Sequence, residues 1–317
     1  VTAIATRKAL GDELLLLGSE NSDVFVIDCD VAKSCFTQPF AEQLEKQHAN
    51  TGIAEQNAVG MAAGLATTGR VPFVVTYAIF GSMRACEQIR QELCYTKLNV
   101  KIMCSHAGLT PANDGASHQC IEDIGVMRTI PNMTVIMPAD YYSARKLIRK
   151  AYAYDGPVYM RFTRDDIPCI YDEKVELEIG KAHQLTDGKD IAIFANGDTV
   201  SIALKAVKEL AKVGILAELY DMHTIKPLDE AAVKDVINRH GLIITVEDHN
   251  ILNGLGSAVC EVVAEAGTGK VARIGVQDQF GESAPYTELL KKNGITQENI
   301  CKVARELLAK DSGEDKA

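Results

Sequence analysis

Residues 71–77 read VPFVVTY: seven residues, mostly β-branched or aromatic, apolar on both faces and preceded by the turn pair Gly69-Arg70. A run without in-out alternation is what a strand buried on both faces requires, and such strands belong to parallel sheets covered by helices. Upstream lies AEQNAVGMAAGLATTG (54–69), with apolar and small residues at helical spacing, and before it a second apolar run, DVFVIDCD (23–30). Downstream, SMRACEQIRQEL (82–93) reads as helix and NVKIMCSH (99–106) as strand. Strand and helix therefore alternate outward from 71–77 in both directions, the pattern of an α/β domain.

The alternation continues. MTVIMPAD (133–140) and GPVYMRF (156–162) read as strands with the helical YYSARKLIRKAYAY (141–154) between them. DIAIFANG (190–197), ILAELYDM (215–222), GLIITVED (241–248) and VARIGVQD (271–278) repeat the pattern, separated by SIALKAVKELAKVG and DEAAVKDVINRHG. Between the two series, residues 164–190 carry turns and charge but no long periodic element. The expectation is two doubly wound, mostly parallel-sheet domains, 1–180 and 181–317. The polar stretch 309–317, AKDSGEDKA, reads as frayed.

The chain has 317 residues, 47% of them hydrophobic, and a formal net charge of -10. That is ample core material, and the acidic balance argues against nucleic acid or an anionic membrane as partner. No apolar run approaches the roughly 20 residues of a membrane helix, and the first residues lack a signal-peptide core. Nine cysteines occur without a CxxC pair, which fits buried thiols in a reducing cytoplasm. Cys29 and Cys120 fall near the candidate site, but no His/Asn pairing marks either as a nucleophile.

Open parallel sheets bind ligands at the carboxyl ends of their strands. Those positions hold Asp30 and Ser34, then Tyr77 and Phe80, then His106 followed by the loop AGLTPANDGASHQ with Asp114 and His118, then Arg161 and Arg164. Glu55 opens the small-residue helix. Aromatic rings, histidines, carboxylates and arginines so gathered have the composition of an active site.

GIAEQNAVGMAAGLA (52–66) resembles the glutamate-bearing helix of the transketolase family, which includes deoxyxylulose-phosphate synthases and, more distantly, 2-oxoacid dehydrogenase beta subunits. IATRKA (4–9), DVAKS (30–34) and NDGASHQCIEDIGVMRTIPNM (113–133) agree in order and spacing, as do DMHTIKPLD, ITVEDH, NGLGSAV and GVQDQFGES in the second domain. The resemblance covers nearly the whole chain, but only two of the family's three domains. It implies a pyrimidine-binding domain and a C-terminal domain, and leaves out the domain that holds the diphosphate of thiamine diphosphate through Mg²⁺ or Ca²⁺. ANGDTVS (195–201) does not replace it: Thr199 stands where a GDG motif has its second glycine, and no trailing Asn ligand follows. The stretch reads as an ordinary strand-to-helix turn, and no metal ligands are expected in this chain.

By this resemblance Glu55 is the activating acid. A carboxyl that donates to N1′ of the aminopyrimidine favours the tautomer that takes the proton from C2, and it must hold a proton to do so, a state that burial favours. Tyr77 and Phe80 are implied as alternative stacking partners of that ring, with Asp30 near the cofactor. A third aromatic position of the family is Met83 here. His118 is implied at the reacting carbon as a catalytic and substrate-binding residue, and Asp114 at a sugar hydroxyl. Arg7, Ser34, His106 and Arg164 are implied as a sugar-phosphate clamp; Arg161 rivals Arg164, because strand register alone does not say which faces the site. The function implied is two-carbon ketol transfer between phosphorylated sugars, by the C-terminal subunit of a split transketolase. An N-terminal-half partner would hold the diphosphate and its divalent metal, in a heterotetramer with two copies of each chain. Half of a deoxyxylulose-phosphate synthase, a 2-oxoacid dehydrogenase beta-type subunit and a non-catalytic assembly partner are the competing readings.

Overall fold

A computed structural model describes residues 2–312. The apolar runs become strands because each offers two faces to cover, and helices cover both. Among the described residues the larger sheet has seven strands, in the order Thr224–Lys226, Thr134–Ile136, Val158–Arg161, Lys101–Ser105, Val71–Tyr77, Val24–Asp28 and His48–Asn50. Neighbours run parallel except the first pair. Val71–Tyr77 lies between Val24–Asp28 and Lys101–Ser105 inside the sheet, where helices on both faces bury it. The smaller sheet has five strands: Lys270–Val276, Leu242–Asn250, Ile191–Ala195, Ala217–Asp221 and His183–Thr186, the last of them antiparallel. The α/β expectation of two mostly parallel sheets holds.

Three local expectations need correction, and the connection 164–190, free of long elements as expected, adds short strands. The run 82–93 is not one regular α-helix: Phe80–Arg84 and Ile89–Tyr95 are π-helical, flanking a short α-turn at Cys86–Gln88. The run 133–140 yields only the three-residue strand Thr134–Ile136. The connection 164–190 contributes short strands, Ile167–Pro168 pairing back to Ala3–Ile4 and His183–Thr186 at the edge of the smaller sheet. Residues 309–312 continue the helix Gln297–Ser312, where Lys270 pairs with Asp311; the rest of the polar tail lies outside the described residues.

The two sheets share one seam. Thr224–Lys226 leaves the second domain to pair with Thr134–Ile136 of the larger sheet. One apolar cluster runs across the join, from Ile124, Met127 and Val135 to Tyr220, Val233 and Val259. Arg161 is the polar strut of the seam. It is fully buried, pairs with Asp123 at 3.0 Å and donates to the carbonyls of Asp248 and Cys120. The 195–201 turn is buried there too: Tyr286 donates to Asp198, and a side chain on Gly197 would run into Met137. No helix among the described residues is long and apolar enough to cross a membrane.

Candidate active site

Glu55 is the first residue of the helix Glu55–Ala66, which follows the turn Thr51–Ala54 at the carboxyl edge of the larger sheet. It is 2% exposed. A buried carboxylate needs partners, and the helix N-terminus supplies a favourable dipole. Its partner here is Arg84, whose Nη1 lies 3.2 and 3.0 Å from the two carboxylate oxygens. The same guanidinium lies over Phe80, 4.5 Å from the ring centroid. Phe80 and Arg84 bound one π-helical turn, so a single local distortion sets the arginine at Glu55 and the ring under the arginine.

From Phe80 the rings continue inward. Tyr77 lies 6.1 Å from Phe80 and stacks on His106 at 3.9 Å. His118 meets Phe80 edge-on at 5.7 Å. The Tyr77 hydroxyl donates to Ser34 Oγ at 2.8 Å, and Arg7 donates to the Ser34 carbonyl at 2.8 Å. Arg164 donates to the Pro111 carbonyl and stands 3.9 Å from Asp114. Ring contacts, hydrogen bonds and charges thus link Tyr77, Phe80, Ser34, Arg7, His106, His118, Asp114 and Arg164 in one cluster, which Arg84 joins to Glu55. Asp30 stands apart: its amide bonds Asn50 at 3.2 Å, and among the described residues no hydrogen bond or ring contact joins it to Glu55, Tyr77 or Phe80. Of the two rival arginines, Arg161 is sealed in the domain seam and Arg164 is partly exposed at the site.

The electrostatics run one way. Burial, then Arg7, Arg164 and His118, push the His106 pKa down to about 3, so its ring is neutral and bonds Ser105 Oγ through Nδ1 at 2.5 Å. Burial and Arg164 lower Arg7 as well. Two guanidiniums facing a buried histidine make a place where a dianion would relieve repulsion. Cys29 and Cys120 are buried thiols, Cys29 pushed up to about 12 and Cys120 raised by burial, so neither offers a thiolate. No group of His, Cys, Asp and Glu among the described residues could hold a metal ion.

The second domain packs against the loop that carries Asp114 and His118. Ser283 donates to the Asn113 carbonyl at 2.6 Å, and Gln119 donates to the carbonyls of Ala112 and Glu282. A side chain on Gly281 would strike Gln119, so the GES turn can lie flat on the Asp114–His118 loop. Sequence reasoning missed Arg84 altogether. It stood inside an expected helix, and only its position four residues after Phe80 offered a signal.

Residues 2–169 match the family described as "Transketolase, pyrimidine binding domain", and residues 180–300 match "Transketolase, C-terminal domain". The chain belongs to the transketolase family. Members with these domains depend on thiamine diphosphate. A Methanocaldococcus jannaschii protein, described provisionally as a transketolase C-terminal section, is 46% identical over 308 residues, covering 96% of both chains. One of the subunits of the apulose-4-phosphate transketolase of Phocaeicola vulgatus is 38% identical, covering 97% of this chain and 98% of that protein. A solved structure described as "Split gene transketolase, inactive beta4 tetramer" superposes with a TM-score of 0.90 at 42% identity, covering 96% of this chain and 99% of that one. This transketolase-family chain thus matches proteins of its own length along nearly all of its residues.

Proposed function

We propose that this chain is the pyrimidine-side subunit of a two-chain transketolase that moves a two-carbon unit between phosphorylated sugars. The observation that carries the reading is the chain of contacts from buried Glu55 through Arg84 and the ring of Phe80 to Tyr77 and neutral His106, which Arg7 and Arg164 flank. A buried carboxyl group stands at one end of this chain of contacts, and a pair of guanidiniums suited to an anion at the other.

The residues fit thiamine diphosphate: Glu55 would bond N1′ and Phe80 or Tyr77 would stack on the aminopyrimidine. When bound, the cofactor supplies a nucleophilic carbon at C2. Glu55 holds the proton at N1′. His118, edge-on to Phe80, reaches a substrate hydroxyl or carbonyl. Asp114 accepts from a sugar hydroxyl, and Arg7 with Arg164 orients the phosphate. The diphosphate and its divalent cation are assigned to an N-terminal-half partner, with two copies of each chain together in the cytoplasm. Two observations support a subunit contact close to the site. Ile53, two residues before Glu55, is 74% exposed, and the helix Glu55–Ala66 turns Met61 and Gly64 outward. The split-gene relative described as an inactive tetramer of this chain type agrees with a subunit that assembles alone but needs a partner to turn over. The apulose-4-phosphate enzyme agrees with a phosphorylated substrate.

The test is proton exchange at C2 of thiamine diphosphate, followed by NMR in the reconstituted complex. E55Q is expected to slow exchange by at least a hundredfold while assembly stays intact. Exchange at the original rate would overturn the assignment of Glu55 and with it this reading.

A further inference from the structure

Resting on that reading, we propose that Arg84 holds the place of the aminopyrimidine ring, and that its side chain must swing out before the ring can seat. A guanidinium is flat, carries several N–H donors and stacks on aromatic faces. Here it makes both contacts the ring would need: it lies 4.5 Å over Phe80 and donates to the two oxygens of Glu55 at 3.2 and 3.0 Å. Ring and guanidinium cannot share that space.

The donors compete as well: Arg84 already donates to both of the Glu55 oxygens that the ring would have to reach. The pairing also gives a reason for the contact: a carboxyl group 2% exposed and left alone would be costly, and Arg84 satisfies it while the site is incomplete. Release is sterically open. The Arg84 side chain is 47% exposed, and the main chain beneath it is held separately by Gln56, which donates to the Arg84 carbonyl at 3.2 Å. The arginine can therefore turn outward without unwinding the π-helical run that carries Phe80.

The experiment uses the full chain and 4-amino-5-hydroxymethyl-2-methylpyrimidine, the ring half alone, which needs no diphosphate site. Calorimetry or ligand-observed NMR gives its affinity for the wild type, R84A and E55Q. R84A is expected to bind three- to tenfold more tightly than the wild type, and E55Q to lose most binding. In the wild type, the Arg84 Nε–H resonance is expected to leave its ring-shifted position over Phe80 as the probe is added. Equal or weaker binding by R84A, or an Arg84 signal that does not move, would overturn the proposal and make Arg84 a support for Glu55. If no chain binds the probe, the aminopyrimidine reading of the site falls, and the proposal falls with it. Should R84A lose its cooperative thermal transition, R84Q, which removes the charge and keeps a polar side chain, is measured in its place with the same expectations.

Discussion

The cationic end of the site, where the proposed function puts a phosphate, turns on single residues. Arg164 is half of a cationic pair with Arg7, and each would supply a charge-assisted bond to a phosphate. Losing one such bond costs roughly 1.5–3 kcal/mol, about ten- to a hundredfold. R164M is therefore expected to raise KM for a phosphorylated acceptor by about that factor and to leave an unphosphorylated acceptor nearly unchanged in steady-state kinetics. Equal loss on both would remove Arg164 from the clamp. His106 gives a test in the free chain. Its pKa stands near 3 when folded, against an ordinary 6.5. Below pH 6.5 the unfolded chain takes up a proton that the folded chain refuses until about pH 3, so acidification across that window favours unfolding. The effect reaches about 1.4 kcal/mol per pH unit for this group. H106N suits the left-handed backbone at this position, where φ is 60°. The wild type is expected to lose urea stability relative to H106N as pH falls from 6.5. The sequence displayed every cation of this cluster, but left Arg161 and Arg164 unresolved. Burial in the seam separates them, and burial there depends on the second domain.

At the scale of elements, the apolar runs announced the strands and their parallel sense, since runs without alternation have few other uses. The helix of Glu55 was equally legible from its small residues and from the motif. The π-helical turns at Phe80–Arg84 and Ile89–Tyr95 were not, because an extra residue per turn is imposed by packing and leaves the hydrophobic spacing nearly unchanged. Gly81 shows the constraint: a Cβ there would lie 2.5 Å from Cys104 Sγ and 3.0 Å from Thr76 Cγ2. G81A is expected to destabilise the chain by about 1–3 kcal/mol in chemical denaturation, the usual range for overpacking. Because Phe80 and Arg84 ride on this turn, the same variant should weaken binding of the aminopyrimidine probe. Loss of stability with binding unchanged would mean that the turn tolerates distortion without moving either residue.

For the molecule as a whole, the expected particle with its partner is a heterotetramer, and light scattering on the mixed chains checks it; a fully active 1:1 particle would contradict the arrangement. Within this chain the seam is the critical contact. Arg161 offsets Asp123 and the carbonyl of Asp248 with almost no solvent. R161M is expected to cost roughly 3–5 kcal/mol in chemical denaturation, as when one partner of a buried ion pair is removed. None of this seam was legible, because its partners lie far apart along the chain and meet only through the fold. Neither was the strand Thr224–Lys226 that completes the larger sheet from the second domain. That strand sets an order of events during synthesis. The chain emerges N-terminus first, so Thr134–Ile136 leaves the ribosome long before its antiparallel neighbour exists. Until residue 226 has emerged, Thr134–Ile136 is the edge of that sheet, without the antiparallel strand that later covers it, and uncovered strands recruit other chains. A gene cut in the connection near residue 180 would make that interval permanent, and its product should pair with itself rather than remain dispersed.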